Sequence, residues 1–179
     1  MSNQLVLYIN FDPIGVPYRK PDSESSHEYI DLKAEPEKIP LLPELEHWPE
    51  IRHLIPAIHA TAYFKTIGVG AWPKRVSKES EFRSYLQFCF NDRAANEDAM
   101  NYYYIYHQFA LFIERRTIPK ELALSFVVAR TDYNGGPPLI GWSAQVIIKG
   151  RGKSPLMARA VPNQGYELLV EFLSSQRPV

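Results

Sequence analysis

The stretch Val146–Pro155, VIIKGRGKSP, ends a β-like run in glycines, a lysine and a serine, the residue types that cradle a phosphate. A Walker loop needs G-x-x-x-x-G-K-S/T, because successive backbone N–H groups must wrap the phosphates. Gly152, Lys153 and Ser154 supply the end of that pattern, but its first glycine falls on Ile147. Pro155 also removes a backbone N–H just where the cradle would continue. The pattern therefore argues against a nucleotide enzyme. A weaker anion site stays open at Lys149, Arg151 and Lys153, which crowd a glycine-permissive loop able to turn N–H groups toward phosphate or carboxylate. The plain alternative is the solvated end of a hairpin.

His47, His53 and His59 could hold a metal if they converged. A spacing of six rotates successive side chains by about 240° around a helix, so they share a face only in extended chain. Neither an i,i+4 pair nor an H-E-x-x-H pattern accompanies them, and no metal or other cofactor is expected. His107 lies in YYYIYHQF, near Tyr103, Tyr104 and Leu111 if the segment is helical. Glu114 could share its face, but nothing nearby identifies a nucleophile. Tyr102, Tyr103, Tyr104 and Tyr106 with Arg115 and Arg116 suggest base stacking, yet the arginines sit at the far end of the run, so nucleic acid is not favoured. A turn and a helix start account for Asp132 and for Asp92, Glu97 and Asp98 without any chemistry.

The elements that must position these groups follow from periodicity. QLVLYI reads as a first strand, 4–9. Residues 12–49 hold seven of the prolines and read as an extended acidic arm, pinned by Tyr29, Ile30, Leu32, Leu41, Leu42, Leu45 and Trp48. Trp48, Ile51, Leu54, Ile55 and Ile58 fall at helical spacing, in a short helix limited by Pro56. Residues 60–72 and 81–90 read as strands; in the second, Phe82, Leu86, Phe88 and Phe90 alternate with Arg83, Tyr85 and Gln87. Residues 96–116 read as a long buried helix with acids at its start and arginines at its end. NGGPP joins a long antiparallel hairpin, 122–132 with 140–149. A last helix runs over 164–175, capped by Asn163, with Tyr166, Leu169, Val170 and Leu173 as its stripe. The expected fold is α+β: one domain, 1–179, a mostly antiparallel sheet in β-β-α-β-β-α order after residue 60, and helices packed on one face.

Composition narrows the class. An apolar fraction of 45% and a charged fraction of 22% are ordinary for a globular chain of 179 residues. The lone Cys89 precludes an internal disulfide, and no segment approaches the ~20 apolar residues of a membrane helix. With no export signal in MSNQLVLYINFDP, the expected compartment is the cytoplasm. The zero net charge conceals an asymmetry. Residues 21–50 carry Asp22, Glu24, Glu28, Asp31, Glu35, Glu37, Glu44, Glu46 and Glu50 against Lys33 and Lys38. Residues 115–159 carry Arg115, Arg116, Lys120, Arg130, Lys149, Arg151, Lys153 and Arg159 against Glu121 and Asp132. Either the arm folds across the basic region or each meets a partner of opposite sign.

These readings converge on a non-enzymatic protein-binding module of the inhibitor or immunity type. It would meet a partner with a basic surface through Glu44, Glu46, Trp48 and Glu50. The alternatives are a small enzyme or ligand-binding domain with a pocket near His107 and an anion site at 149–153, and a subunit of a larger assembly. No membrane association is expected.

Overall fold

A computed structural model describes residues 5–19, 29–76 and 79–176. Asp22, Glu24 and Glu28 of the acidic arm lie outside the described residues. The chain forms β1 (Val6–Val16), β2 (Tyr18–Arg19), β3 (Tyr29–Ile30), α1 (Ile51–His59), β4 (Phe64–Val76), β5 (Glu79–Phe90), α2 (Ala99–Glu114), β6 (Ala123–Tyr133), β7 (Leu139–Gly152) and α3 (Pro155–Ser175). The fold is α+β: a five-stranded mixed sheet in the order β1-β6-β7-β5-β4, a separate β2–β3 ribbon, and helices on one side. Among the described residues no helix is long and apolar enough to cross a membrane.

Clean alternation makes β6 and β7 an antiparallel pair, from Ala123↔Lys149 to Tyr133↔Leu139. β5 pairs antiparallel with β7 and with β4. β1 pairs with β6 in parallel and continues past Asn10 through a register shift to Val16. It is therefore longer than the 4–9 strand expected. Asp12 N–H donates to Asn10 Oδ1 (3.1 Å), a local turn that absorbs the irregularity.

The period of two divides the sheet chemically. Phe82, Leu86, Phe88, Phe126, Val128, Ala144, Val146 and Ile148 face the helices and are buried. α2 presents Tyr102, Ile105, Phe109 and Ile113 to that layer, capped by the Asp98 carboxylate, which accepts from the Met100 N–H. α3 begins nine residues before its expected start, because Ser154 caps it and Pro155 occupies its first position. Pro162 lies inside this helix, buried, and Asn163 is not its cap.

The segment read as an extended arm is turned instead. Residues 36–41 and 43–46 form 3₁₀ turns, each opened by a proline. Ile30, Leu32, Ile39, Leu42 and Trp48 enter the main core, which pins these turns to the body.

Candidate functional site

Among the described residues the helices lie on one side of the sheet, which leaves the lower half of the other face, toward the β4–β5 turn, open, and strand register sets its contents. Trp72 faces Arg83 on β5, Arg83 faces Lys149 on β7, and Lys149 faces Ala123 on β6. One row toward the turn lie Lys74, Glu81 and Arg151. One row the other way lie Gly70, Tyr85, Ile147 and Ser125. Side chains in a row sit about 4.8 Å apart per strand, so they form one contiguous strip.

Trp72 is 52% exposed, and its ring lies against Tyr85 with centroids 5.4 Å apart. The Arg83 guanidinium sits 6.0 Å over the Trp72 ring, a cation–π contact. Gly70 makes the stack possible: a Cβ there would meet the Tyr85 ring at 2.3 Å. Arg83, Lys149, Lys74 and Arg151 are exposed; Arg151 Nε donates to Glu81 Oε2 at 3.2 Å. The strip thus combines an aromatic centre with a cationic margin.

Toward the other end, the same face closes. Gln87 Nε2 donates to Ser143 Oγ (2.8 Å), which bonds Thr131 Oγ1 (2.7 Å), and Thr131 Oγ1 bonds the Ala129 carbonyl (3.0 Å). All three polar side chains are buried and satisfied, so they hold the strands together. Val16, Ile67 and Cys89, with Ile14 and Tyr133, make a small apolar cluster beside them. Burial pushes the Cys89 thiol up to about 12, the behaviour of an inert core thiol.

Between strip and closed end runs a groove of about 420 Å³, lined among others by Tyr18, Arg19, Tyr29, Glu44, Tyr85 and Gln87. Desolvation raises the Glu44 carboxyl above its ordinary range. Burial, and secondarily the charge of Glu44, raises the Tyr85 hydroxyl.

The residues singled out in the sequence fall in several places. Trp48 is a correction: it is fully buried, so it belongs to the core and not to a binding surface. Its Nε1–H donates to Asn163 Oδ1 (2.9 Å), and its ring lies 4.7 Å from that of Tyr166. Glu50 is turned toward α3, with Oε1 3.1 Å from Arg159 Nε. Glu44 lines the groove and Glu46 is exposed. The four do not form one surface.

Lys149 and Arg151 lie on the open strip, and Lys153 sits in the link to α3, so 149–153 is no hairpin end. The intervening glycines face the helix. A Cβ on Gly150 would fall 2.4 Å from the Ala158 carbonyl oxygen, and one on Gly152 would fall 2.7 Å from the Ala158 nitrogen. They admit α3 to close packing, which explains the phosphate-loop resemblance without a phosphate.

His107 is exposed, and the expected pocket between α2 and the sheet is instead filled by packed rings. Phe126 has Tyr106 at 5.7 Å and Phe109 at 6.5 Å, and Phe109 meets Phe172 at 5.0 Å. His47 and His53 are exposed, whereas His59 Nε2 bonds Thr66 Oγ1 at 2.8 Å. Burial, reinforced by Lys33, brings the His59 imidazole down to about 4. Among the described residues no three of His, Cys, Asp and Glu gather as a metal site.

Sequence reading missed the strip. Arg83, Tyr85 and Gln87 were legible as the polar phase of a strand, but their alignment with Trp72 and Lys149 arises only from pairing. The chain matches no protein-family model, no curated protein and no solved structure.

Proposed function

We propose that this chain is a non-enzymatic protein-binding module, with an inhibitor or immunity protein as the concrete form. The observation that carries the reading is the Trp72–Tyr85 stack under Arg83, on the sheet face that no helix covers among the described residues. Tryptophan, tyrosine and arginine dominate the energetic centres of protein interfaces, because each brings a large contact area and a polar handle. Here they stand on paired strands rather than on a loop, so their geometry is set before a partner arrives and little ordering entropy is lost on binding.

This moves the interface away from the arm, since Trp48 and Glu50 are engaged with the body. A second reading, a ligand-binding domain, draws on the Glu44 groove, where a half-buried carboxyl meets Tyr18 and Tyr85. Native mass spectrometry of the protein, isolated gently from its own cells, separates the two. A stoichiometric protein partner retained by the wild type and lost in Trp72→Ala supports the binding module. A bound small molecule with no protein partner replaces it with the ligand-binding reading.

A further inference from the structure

Resting on that reading, we propose that the strip is a docking surface for an acidic protein face, with Trp72 at its centre and Lys74, Arg83 and Lys149 as its charge contacts. This partner has the opposite sign from the one the acidic arm suggests.

Register places Arg83 and Lys149 in line with Trp72, and Lys74 and Arg151 in the adjacent row. Glu81 is the acidic residue of that row, and Arg151 already engages it. Three exposed cations therefore border the aromatic stack on one side, while Gly70, Ile147 and Ser125 border it on the other, where the half-buried Glu44 carboxyl lines the groove beside Tyr85. An apolar centre with exposed cations along one side fits a partner whose carboxylates flank an apolar contact on that side. Arg83, held over the Trp72 ring, keeps open N–H groups for a carboxylate while its position is fixed.

A single-stranded nucleic acid fits less well. Successive bases need successive aromatic platforms. After the Trp72–Tyr85 stack, the next exposed ring on this face among the described residues is Tyr8 on β1. It lies four strands away from Trp72, about 19 Å at ~4.8 Å per strand, with Ile147 and Val127 among the side chains between. The net charge of the chain is also zero. Pairing of a partner strand along β4 is disfavoured too, because Pro73 and Lys74 interrupt that edge.

The test uses the complex as isolated from its own cells, treated with a carbodiimide, which joins a lysine amine to a carboxylate with no spacer. Cross-links mapped from Lys74 or Lys149 to Asp or Glu of the partner support the proposal. So does a loss of affinity of about 30-fold or more in Arg83→Glu/Lys149→Glu, with unchanged binding in Glu46→Lys. Both arginine and lysine positions are exposed, so the double variant retains the fold; its circular dichroism spectrum checks this. Recovery of a protein partner whose cross-links avoid Lys74 and Lys149 overturns this inference and leaves the binding-module reading standing. Recovery of a nucleic acid in place of a protein overturns both, as does recovery of neither.

Discussion

Replacing Trp48 by alanine distinguishes a core residue from a surface anchor by where the free energy is lost. The side chain is fully buried between α3 and β5, against Tyr166 at 4.7 Å and Phe82 at 6.3 Å. A buried tryptophan removes about 200 Å² from water, worth about 5 kcal/mol at ~25 cal/mol per Å². Alanine retains a small part of this, while the cavity and the lost bond to Asn163 add to the deficit. The area figure is an upper bound, because the unfolded chain already buries part of the ring, so the expected cost is about 4 kcal/mol, within the ~3–5 kcal/mol of such truncations and a large share of the ~5–15 kcal/mol that holds an ordinary domain together. For a domain of this size each kcal/mol moves the melting temperature by about 2–4 °C, so Tm should fall by about 8–16 °C. Urea unfolding followed by far-UV circular dichroism measures it. Trp72→Ala is the internal comparison: a half-exposed ring should cost about 1 kcal/mol or less while abolishing partner binding. If Trp48→Ala costs under about 1 kcal/mol, the turned arm is not docked through this ring and the assignment of Trp48 to the core fails.

Gly150→Ala should destabilise by roughly 2–3 kcal/mol, because its Cβ would collide with the backbone oxygen of Ala158 and with Pro162, neither of which can turn away; an unchanged urea midpoint would contradict the close packing of α3 on β7. His59 is held near 4 when folded against about 6.5 unfolded. Between these values the unfolded chain takes up a proton that the native state refuses, so stability should be intact above about pH 6.5 and fall as pH drops toward 4. His59→Gln should flatten that part of the urea-midpoint profile while keeping a hydrogen bond to Thr66; parallel profiles would show that His59 does not report folding. The Cys89 thiol should ignore a disulfide reagent at pH 8 in the native protein and react fully in urea; rapid native labelling would mean that the cluster with Val16 and Ile67 is open.

The β6–β7 hairpin was legible because alternation and a glycine turn agree, and α2 was legible from its length, although its cap is Asp98 and it starts at Ala99 instead of 96. Proline was the misleading signal elsewhere. Pro13 made the first strand read short, yet a register shift carries β1 past it. Asn163, read as a cap, made α3 read short, but the helix runs on through Pro162, whose ring packs against Gly150, a contact invisible in a local window. Pro36 and Pro43 open 3₁₀ turns, and Pro40 sits inside the first, so these prolines do not keep the chain extended. Trp48 carried two signals at once, its place in an acidic run and its helical spacing with Ile51 and Ile55. The apolar stripe was the stronger, since burying a tryptophan outweighs the weak attraction of exposed charges. The candidate site was less legible than the fold, because Trp72, Arg83 and Lys149 are distant in sequence and meet only through register across three strands.

The same packing decides the sign of the exposed surface. Asp31 approaches Lys65 at 2.5 Å and Glu50 approaches Arg159 at 3.1 Å, so two carboxylates of the arm meet cations of the body. Such partly exposed pairs add little stability, but they change what a partner meets. The acids they remove from the arm's outer surface are matched by cations removed from β4 and α3, whereas Lys74, Arg83 and Lys149 stand on the face that the helices leave open. A chain with zero net charge thereby presents a locally cationic face around an aromatic centre. Steering by that face acts through a local field, so association should slow as salt rises even though the net charge gives no reason for it. A salt-independent association rate would place the partner contact away from the strip.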